Sequence, residues 1–378
     1  MIFIQRVTGR RLALAYRTPF AIAGGTTHMA EYVLVTMELS DGQVGVGECS
    51  PMTAYGEATP AETLRLVAEV IGPGLSGCEA TPAALHRAMD HIVPGHGFAK
   101  AGVDMALYDA LGKSWGVGVA AMLGGLVQPW IPVTWPIGLG EPEEVAEQAR
   151  AACNRGFRVI KLKIGVDPRR DVAAVRAVRE AVGTGPDIRV DANQGYDRLT
   201  ARRVLEAIAP EGIELCEQPL PAWDVEGLRE LRRMGIPIMA DESAWDAHHV
   251  MQLCRRQAVD LVSIKLMKPG GLYPAHAMAQ VARAAGVEVV VGSMPESGVG
   301  TAAGLQFAGA VGVTRASDLV GPLMFQTDVL EGDPLGLGET GVNGGRVRVP
   351  AGPGLGVRLS APHGNQAPPG PSSPGAES

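Results

Sequence analysis

From Trp130 onward the chain alternates between short apolar segments and helical segments, in units of roughly 25 residues. Such a repeat is typical of a parallel sheet covered by helices. Eight segments have strand character: IPVTWPIG, VIKLKIG, DIRVDAN, GIELCEQP, IPIMADES, VDLVSIKLMK, VEVVVGSMPES and SDLVGPL. This number predicts a closed barrel. The alternative, an open doubly wound sheet, favours a glycine-rich turn after its first strand, and GLGEPEE is a poor one.

The ends of the chain have a different organisation. In residues 1–125 strands precede helices, which is typical of an α+β domain, and Asp41-Gly42 is a strong hairpin signal between two of the strands. The Gly- and Thr-rich segment 18–29 predicts a loop. We therefore expect a first domain over 1–125 and a barrel domain over 126–325. The low-complexity tail, 361–378, predicts disorder.

Ionisable residues end five consecutive predicted strands, and this is the strongest functional signal in the chain. They are Lys163, Asp191, Glu217, Asp241 and Lys265, at separations of 24 to 28 residues. Barrel enzymes carry their catalytic groups at the carboxyl ends of the strands, so these side chains are expected to meet at one mouth. The alternative interpretation is a ring of surface salt bridges around that mouth.

Lys161 and Lys163 lie two positions apart in VIKLKIG and therefore point to the same side of the strand. Repulsion between two ammonium groups and partial burial both lower the pKa of a lysine, which makes it usable as a base near neutral pH. A strand edge with two solvated lysines is the alternative interpretation.

Three carboxylates at one mouth repel one another unless a cation lies among them. Oxygen ligands without His or Cys suit a hard divalent ion, so Mg²⁺ is the predicted cofactor, with Mn²⁺ as an alternative. Lys163 and Lys265 would end strands two and six, opposite each other across an eight-strand ring. A base on each side of a metal-held carboxylate suits removal and return of an α-proton, the metal stabilising the enediolate formed in between.

Composition narrows the class of ligand. A formal net charge of −7 without a long basic run argues against a nucleic-acid partner. The five cysteines are dispersed and form no CxxC pair, which is typical of reduced thiols in the cytoplasm. The first residues do not read as a signal peptide, and no apolar run is long enough to span a membrane. We expect a cytoplasmic enzyme that acts on a small molecule away from membranes.

Several motifs together resemble the enolase superfamily: KLKIG, RVDAN, CEQP, ADES, IKLMKPGG and AGVDMALYDALGKSWG. The lysines of KLK and IKLMK are similar to those of its muconate-lactonizing-enzyme (muconate cycloisomerase) subgroup, with features of both dipeptide epimerases and cycloisomerases. The resemblance covers residues 15–360. It implies a modified (β/α)7β barrel of the TIM type with an N-terminal α+β capping domain, completed by residues 326–360. It also implies a homo-oligomer.

The resemblance further implies a role for each polar residue at the barrel mouth. Mg²⁺ would be held by three acids: Asp191, Glu217 and Asp241. The acid/base pair would be two lysines: Lys163 and Lys265. Lys161 would lower the pKa of its neighbour on the same strand. The metal ligands would be oriented by two further residues: Asn193 and Glu242.

Substrate specificity in this family resembles a partnership of two capping segments with two strand ends, here Ala21–Met29, Ala54–Glu57, Ser293–Ser297 and Ser317–Val320. The candidate substrate-binding residues are Trp135, Tyr55, Ser293, Glu296, Asp318 and Val320. Dipeptide epimerases carry Asp-x-Asp at the last of these positions to hold an ammonium, whereas this chain has Asp318-Leu319-Val320. The lost second acid argues against a dipeptide substrate but does not exclude one with a single positive charge.

Structural roles are the alternative for several of these candidates. Asp318 and Glu296 would then cap the helices that follow them, Trp135 would seal the barrel, and Tyr55 would be an exposed loop residue.

The leading functional hypothesis is a Mg²⁺-dependent racemase or epimerase of an amino-acid-derived carboxylate: a dipeptide, an N-acyl amino acid or a proline derivative. The first alternative is a muconate-type cycloisomerase, or a dehydratase of a hydroxy acid, on the same scaffold. The second alternative is a non-catalytic binding or structural use of the fold.

Overall fold

The computed structural model describes residues 1–22, 25–56, 58–337 and 342–361, so the tail for which disorder is predicted lies outside the described residues from 362 onward. The first sheet is antiparallel and consists of β1 (Ile4–Ile22), β2 (Gly25–Leu39) and β3 (Val44–Cys49). The hairpin predicted at Asp41-Gly42 is confirmed by the pairing of β2 with β3. Gly42 has a φ of +84°, a conformation that glycine adopts without steric cost.

The loop predicted at 18–29 is wrong, because β1 and β2 continue to pair as far as Ile22 and Gly25. The ladder shifts register between Ala15 and Phe20 and then resumes. A β-bulge of this kind bends a strand without ending it, and threonine is compatible with a strand. Glycine and threonine content therefore indicated a break where the structure has only an irregularity.

Five helices complete the first domain: α1 (Pro60–Arg65), α2 (Gly72–Leu75), α3 (Pro82–Ile92), α4 (Gly97–Trp115) and α5 (Val119–Met122). A 3-10 turn, Thr53–Tyr55, precedes them, and a π-helical segment, Leu66–Ile71, links α1 to α2. Helix α4 packs directly on β3, where two strand residues have no side chain. A Cβ on Gly47 would lie 2.0 Å from the carbonyl oxygen of Gly102, so this close approach requires glycine.

The second sheet is parallel and has seven strands in the order in which they occur in the chain. They are β5 (Thr134–Ile137), β6 (Val159–Lys163), β7 (Asp187–Asp191), β8 (Ile213–Glu217), β9 (Ile238–Ala240), β10 (Leu261–Ile264) and β11 (Glu288–Val291). A short strand, β4 (Trp130–Pro132), precedes them.

Helices follow the parallel strands in turn. They are α6 (Pro142–Asn154), α7 (Pro168–Val182), α8 (Arg198–Ile208), α9 (Val225–Arg232), α10 (Ala247–Arg255), α11 (Leu272–Ala284), α12 (Gly298–Val311) and α13 (Gly321–Met324), with a 3-10 turn at Ala209–Glu211. Aspartate side chains accept hydrogen bonds from the first backbone N–H groups of four successive helices, α7 to α10: Asp167, Asp197, Asp224 and Asp246. These caps determine where the helices begin.

The eighth predicted strand is reduced to two residues, which close the barrel. Ser317 forms backbone hydrogen bonds with β4 and β5: its N–H donates to the carbonyl of Pro132, and its carbonyl accepts from the N–H of Thr134. The N–H of Asp318 donates to the carbonyl of Val291 in β11. The chain then passes through Leu319 and Val320 into α13, so the last three residues of SDLVGPL are helical. The fold is the expected modified (β/α)7β barrel with an N-terminal α+β capping domain.

The barrel interior is apolar at one end and ionic at the other. Leu215, Met239, Leu261 and Val290 form a separate buried cluster. Glu217 and Asp241 each lie two residues beyond a member of this cluster, on the same face of the chain and nearer the carboxyl ends of the strands. The apolar layer closes the barrel beneath the polar residues.

After α13 the chain returns to the first domain. The N–H of Gln326 donates to the carbonyl of Ala15, and the N–H of Leu355 donates to the buried carboxylate of Asp109. A last strand, β12 (Arg346–Arg348), pairs with β4. Among the described residues, none of the helices combines the length and the apolar character needed to cross a bilayer.

Candidate active site

Lys161 lies at the centre of the polar end of the barrel and is surrounded by carboxylates. Its Nζ lies 2.7 Å from Asp318 Oδ2, 2.7 Å from Glu217 Oε2 and 3.1 Å from Asp191 Oδ2. Burial lowers the pKa of this lysine, but Asp318, Glu217 and Asp191 outweigh burial and raise it well above its ordinary value. Lys161 is therefore a fixed positive charge that holds these acids together.

Lys163 is oriented by the neighbouring strand. Its Nζ donates to Asp191 Oδ2 at 2.6 Å and to Asn193 Oδ1 at 2.7 Å. Asn193 donates in turn from Nδ2 to Glu242 Oε1 at 3.1 Å, and its backbone N–H donates to Asp191 at 3.0 Å. Asn193 thus contacts both Lys163 and Asp191, one of the acids that it was predicted to orient, and Glu242 contacts Asn193.

Lys265 occupies the opposite side of the barrel and is held by both domains. Its Nζ lies 2.8 Å from Asp241 Oδ2 and donates to the hydroxyl of Tyr55, from the capping domain, at 2.9 Å. The hydroxyl of Tyr55 donates to the same carboxylate at 3.2 Å. Lys268 binds the other oxygen, Asp241 Oδ1, at 2.7 Å and the backbone carbonyl of Asp241 at 2.6 Å. No role was predicted for Lys268 from the sequence, where its position three residues after Lys265 was the only indication of one.

The acids differ in how far their charge is compensated. Burial raises the pKa of Asp241, but Lys265 and Lys268 outweigh it and lower the pKa well below its usual range. Burial also raises the pKa of Asp191, but Lys163 and Lys161 outweigh burial and lower it. In contrast, burial and then Asp191 raise the pKa of Glu217 to about 8.

Glu217 is the least satisfied acid of the group. Both carboxylate oxygens are buried and accept no hydrogen bond, because the approach of Lys161 Nζ at 2.7 Å lacks hydrogen-bond geometry. Buried acceptors without a donor are costly, and such a pair of oxygens beside other carboxylates suits a cation. Within the described parts of the chain, no group of three His, Cys, Asp or Glu side chains has the arrangement of a metal site. The acids contact lysine nitrogens instead: Asp191 and Glu217 contact Lys161, and Asp241 contacts Lys265.

Two cavities adjoin this cluster. The inner cavity, of about 60 Å³, is lined by Lys161, Lys163, Lys265, Asp318, Pro136, Ser293, Pro295, Val320, Gly321 and Met324. The outer cavity, of about 330 Å³, lies between the β1–β2 hairpin and residues 50–53, and Tyr16, Met29, Tyr32, Met52 and Met294 contribute to its walls. The inner cavity thus contains both predicted acid/base lysines.

Asp318 is engaged by the protein itself. Its Oδ1 accepts a hydrogen bond from Thr134 Oγ1 at 2.6 Å, and its Oδ2 accepts one from Lys161 Nζ at 2.7 Å. Burial raises the pKa of Asp318, but Lys161 and then Arg189 outweigh it and lower the pKa to about 2. The carboxylate is therefore ionised and already paired.

The other predicted substrate-binding residues fall into two groups. Tyr55, Ser293 and Val320 border the inner cavity or contact its lysines. Glu296 is buried within the loop that carries Ser293 and accepts hydrogen bonds from Ser293 Oγ and from the N–H of Met294. Of the predicted capping segments, Ala23, Gly24 and Glu57 lie outside the described residues.

The structure corrects the placement of Trp135. Its neighbours in β5, Thr134 and Pro136, face the inside of the barrel, so the alternation of the strand turns Trp135 outward. There its ring packs on Phe157 and beneath the guanidinium of Arg155, at 5.0 Å and 4.5 Å from the ring centroid. Pro136 lines the cavity instead.

Comparison with known proteins identifies the family. Residues 6–124 match the N-terminal domain of mandelate racemase and muconate lactonizing enzyme, and residues 144–363 match the enolase C-terminal domain-like family. The chain is 33% identical to N-succinyl-L-Arg/Lys racemase of Bacillus cereus, over 92% of this chain and 93% of that protein. It is 35% identical to muconate cycloisomerase 1 of Rhodococcus opacus, over 87% and 88% respectively.

Among solved structures, the dipeptide epimerase of Enterococcus faecalis, complexed with Mg and the dipeptide L-Leu-L-Tyr, is similar with a TM-score of 0.87 and 32% identity, over 94% of this chain and 99% of that one. These relatives are all isomerases, although their substrates differ. This chain therefore belongs to the muconate-lactonizing-enzyme subgroup of the enolase superfamily and is an isomerase of the racemase, epimerase or cycloisomerase type.

Proposed function

We propose that this protein is a Mg²⁺-dependent racemase or epimerase that removes and returns the α-proton of an amino-acid-derived carboxylate. The observation that carries the proposal is that Lys163 and Lys265, from strands β6 and β10 on opposite sides of the barrel, line one small cavity. One lysine would remove the α-proton, which leaves an enediolate, and the other would deliver a proton to the opposite face. A cycloisomerase needs only one of these two groups to move a proton.

Each lysine is held so that its nitrogen has a defined position. Asp191 and Asn193 fix Lys163 at 2.6 and 2.7 Å. Tyr55 and Asp241 fix Lys265 at 2.9 and 2.8 Å. Lys161 stays charged among its acids and faces the same cavity, so it would favour the anionic state of the substrate carboxylate. Proton transfer between carbon and nitrogen requires the nitrogen to be held in a fixed position, and these hydrogen bonds hold it.

The residues that would hold the metal are Asp191, Glu217 and Asp241. Their oxygens are the ligand type that Mg²⁺ prefers, with Mn²⁺ as the alternative, and the unsatisfied oxygens of Glu217 support this assignment. When bound, the ion would supply positive charge beside the substrate carboxylate, which lowers the cost of removing a proton from the adjacent carbon.

The contacts of Asp318 support a substrate whose nitrogen is acylated rather than free. A free ammonium would need an acid that is not already paired, but Asp318 is bound by Thr134 and Lys161. Val320 supplies no charge in place of a second acid. The charged residues that line the inner cavity are three lysines and Asp318. This excess of positive charge favours anionic over cationic groups of a substrate. An N-acyl amino acid meets these conditions better than a dipeptide or a proline derivative with a free amine.

The first test is proton NMR in D₂O with Mg²⁺ on pools of N-acyl amino acids, dipeptides, proline derivatives and muconates. We expect the α-proton signal of an N-acyl amino acid to disappear without a change of connectivity, and a chiral assay to show both enantiomers. Exchange in dipeptides alone would contradict the acylated-nitrogen assignment but keep the racemase. New vinyl or lactone signals would contradict the racemase.

A cycloisomerase is the second candidate, and one observation favours it. Val320 and Met324 make part of the inner cavity apolar, which suits an unsaturated acid. In that case lactone formation from a muconate would appear in the same NMR experiment. A dehydratase of a hydroxy acid would instead release water and produce an unsaturated acid, or a keto acid where the substrate carries hydroxyls on both the α- and the β-carbon.

We also propose that the enzyme acts on a small-molecule carboxylate, is located in the cytoplasm and forms a homo-oligomer. The location rests on the five cysteines, which form no disulfide in the described residues. Sedimentation of the purified protein would establish the oligomer.

A further inference from the structure

The loop between β11 and α12 separates the two cavities of the site. We call residues Ser293–Ser297 the strand-seven loop. Ser293 and Pro295 line the inner cavity, whereas Met294 lines the outer one. A shift of this loop would therefore change both cavities at once.

The capping domain holds the strand-seven loop at two points. The hydroxyl of Tyr32, in β2, donates to the carbonyl of Pro295 at 2.5 Å. Glu48, in β3, accepts hydrogen bonds from the N–H of Ser297 at 3.0 Å and from its hydroxyl, and a longer one from the N–H of Gly300 at 3.4 Å. Glu48 thus lies at the N-terminus of α12, where the helix dipole favours a negative charge.

Glu48 is fully buried. Within the described residues its carboxylate accepts four hydrogen bonds, all from neutral donors: the three from Ser297 and Gly300, and one from Ser50 Oγ at 3.0 Å. Burial raises the pKa of Glu48 to about 7, although the hydroxyl of Ser297 opposes this, and Glu296 adds repulsion. Burying a carboxylate without a cationic partner is expensive. A residue that carries this cost at the contact between two domains calls for a reason beyond packing.

The loop has little freedom to move independently of this carboxylate. Glu296 braces it from within, through Ser293 Oγ and the N–H of Met294. A Cβ on Gly300 would lie 3.1 Å from Glu48 Oε1, and a Cβ on Gly321 would lie 2.0 Å from the carbonyl oxygen of Glu296. The loop is therefore packed tightly between β3 and α13.

We propose that Glu48 is a positioning residue, which fixes the strand-seven loop between the inner and outer cavities and so sets substrate affinity without contacting the substrate. This role rests on the proposed function only where substrate is concerned, because the attachment of the loop to Glu48 is a property of the protein alone. Nothing in the sequence singled out this residue, since its partners lie about 250 positions away, at Ser297 and Gly300.

The test is the Glu48→Gln substitution, which preserves shape but removes the charge. One side-chain oxygen still accepts from the N–H of Ser297, while the new amide cannot accept from Gly300. We expect faster hydrogen exchange in the peptide covering residues 293–300. At a pH above 7, where the Glu48 carboxylate is ionised, we expect KM for the substrate that the wild type turns over to rise about tenfold while kcat changes less than about twofold, because a hydrogen bond to an ionised group contributes roughly this much.

The matched control is Asp109→Asn. Asp109 is another buried carboxylate of the capping domain, bound to the N–H groups of Val46 and Leu355 and to Lys113, away from the loop. This variant is expected to lose stability without faster exchange in residues 293–300 and without a change in KM. The control separates a positioning role from general destabilisation.

A pH series adds a readout that a neutral structural residue would not show. Burial raises the pKa of Glu48 in the folded protein to about 7, from an ordinary value of 4.5. Between these values the folded state binds more protons, so wild-type stability falls as the pH rises. Glu296, Tyr32 and Cys49 are the other titratable groups that face Glu48. As the pH increases between these two values, the ratio of the wild-type unfolding constant to that of Glu48→Gln should therefore rise, by at most about tenfold per pH unit.

Two results would overturn the proposal. One is unchanged exchange in residues 293–300 of the Glu48→Gln variant. The other is an exchange and KM pattern equal to that of Asp109→Asn. If the wild type turns over nothing in the substrate pools, the proposed function fails, but the hydrogen-exchange comparison still decides whether Glu48 fixes the loop.

Discussion

At the scale of single residues, Glu217 is the least satisfied of the three predicted metal ligands, since neither of its oxygens accepts a hydrogen bond. If it is a ligand, Mg²⁺ should stabilise the folded wild type. The stabilisation is about 2.7 kcal/mol when the free ion is at about 100 times its Kd. We expect the Glu217→Gln variant to lose most of this shift, measured as the Tm with and without Mg²⁺.

The matched control for this prediction is Glu206→Gln, because Glu206 is an exposed acid whose ion-pair partner is Arg202, away from the barrel mouth. This variant should keep the full Mg²⁺ shift. A Glu217→Gln protein with an unchanged shift would show that the ion binds elsewhere or that Glu217 does not contribute to it.

Which residues could be found from the sequence depended on how local their signals are. The strand-end spacing pointed to Lys163, Asp191, Glu217, Asp241 and Lys265, and the structure gathers them at one mouth. Three other residues had no such signal: Thr134, Lys268 and Glu48. Their importance comes from hydrogen bonds to partners on distant elements, and spacing along a single strand carries no information on these contacts.

At the scale of elements, the contact between α4 and β3 depends on the absence of two side chains. A Cβ on Gly45 would lie 2.0 Å from the carbonyl oxygen of Ala106, and one on Gly47 would lie equally close to that of Gly102. We expect Gly47→Ala to destabilise the protein by about 1–3 kcal/mol or more, because helix backbone has to move. Urea unfolding measures this change.

Gly185→Ala serves as the control for the helix contact. Nothing lies within 4 Å of the position of its Cβ, and its backbone is not left-handed. Alanine there should leave stability equal or slightly higher, since it restricts the unfolded chain. If Gly47→Ala were as stable as this control, the capping sheet would tolerate a wider spacing than the structure shows.

Element types were more predictable than their limits. Apolar runs identified all seven parallel strands, because a buried strand needs a continuous apolar sequence. The eighth shrank to Ser317–Asp318 because closing the barrel required only their backbone hydrogen bonds. Trp135 was a candidate for the cavity wall because it lies in the first barrel strand, but Thr134 and Pro136 take the inward positions of that strand.

At the scale of the whole molecule, the site belongs to both domains. Tyr55 reaches from the capping domain to Lys265, and Tyr32 and Glu48 reach to the strand-seven loop. The barrel supplies the lysines and acids, whereas the capping domain fixes one lysine and one wall of the cavity. The resemblance in sequence indicated that both domains contribute to the site, and the structure identifies the side chains that connect them.

The central claim is that two lysines act on opposite faces of one carbon, and single-lysine variants test it most directly. Deuterium exchange would be followed by NMR with each enantiomer of the identified substrate, using Lys163→Ala and Lys265→Ala. We predict that neither variant interconverts the enantiomers, and that each exchanges the α-proton of only one enantiomer, a different one in each case. Continued racemisation by either variant, or exchange of the same enantiomer by both, would contradict the two-base account.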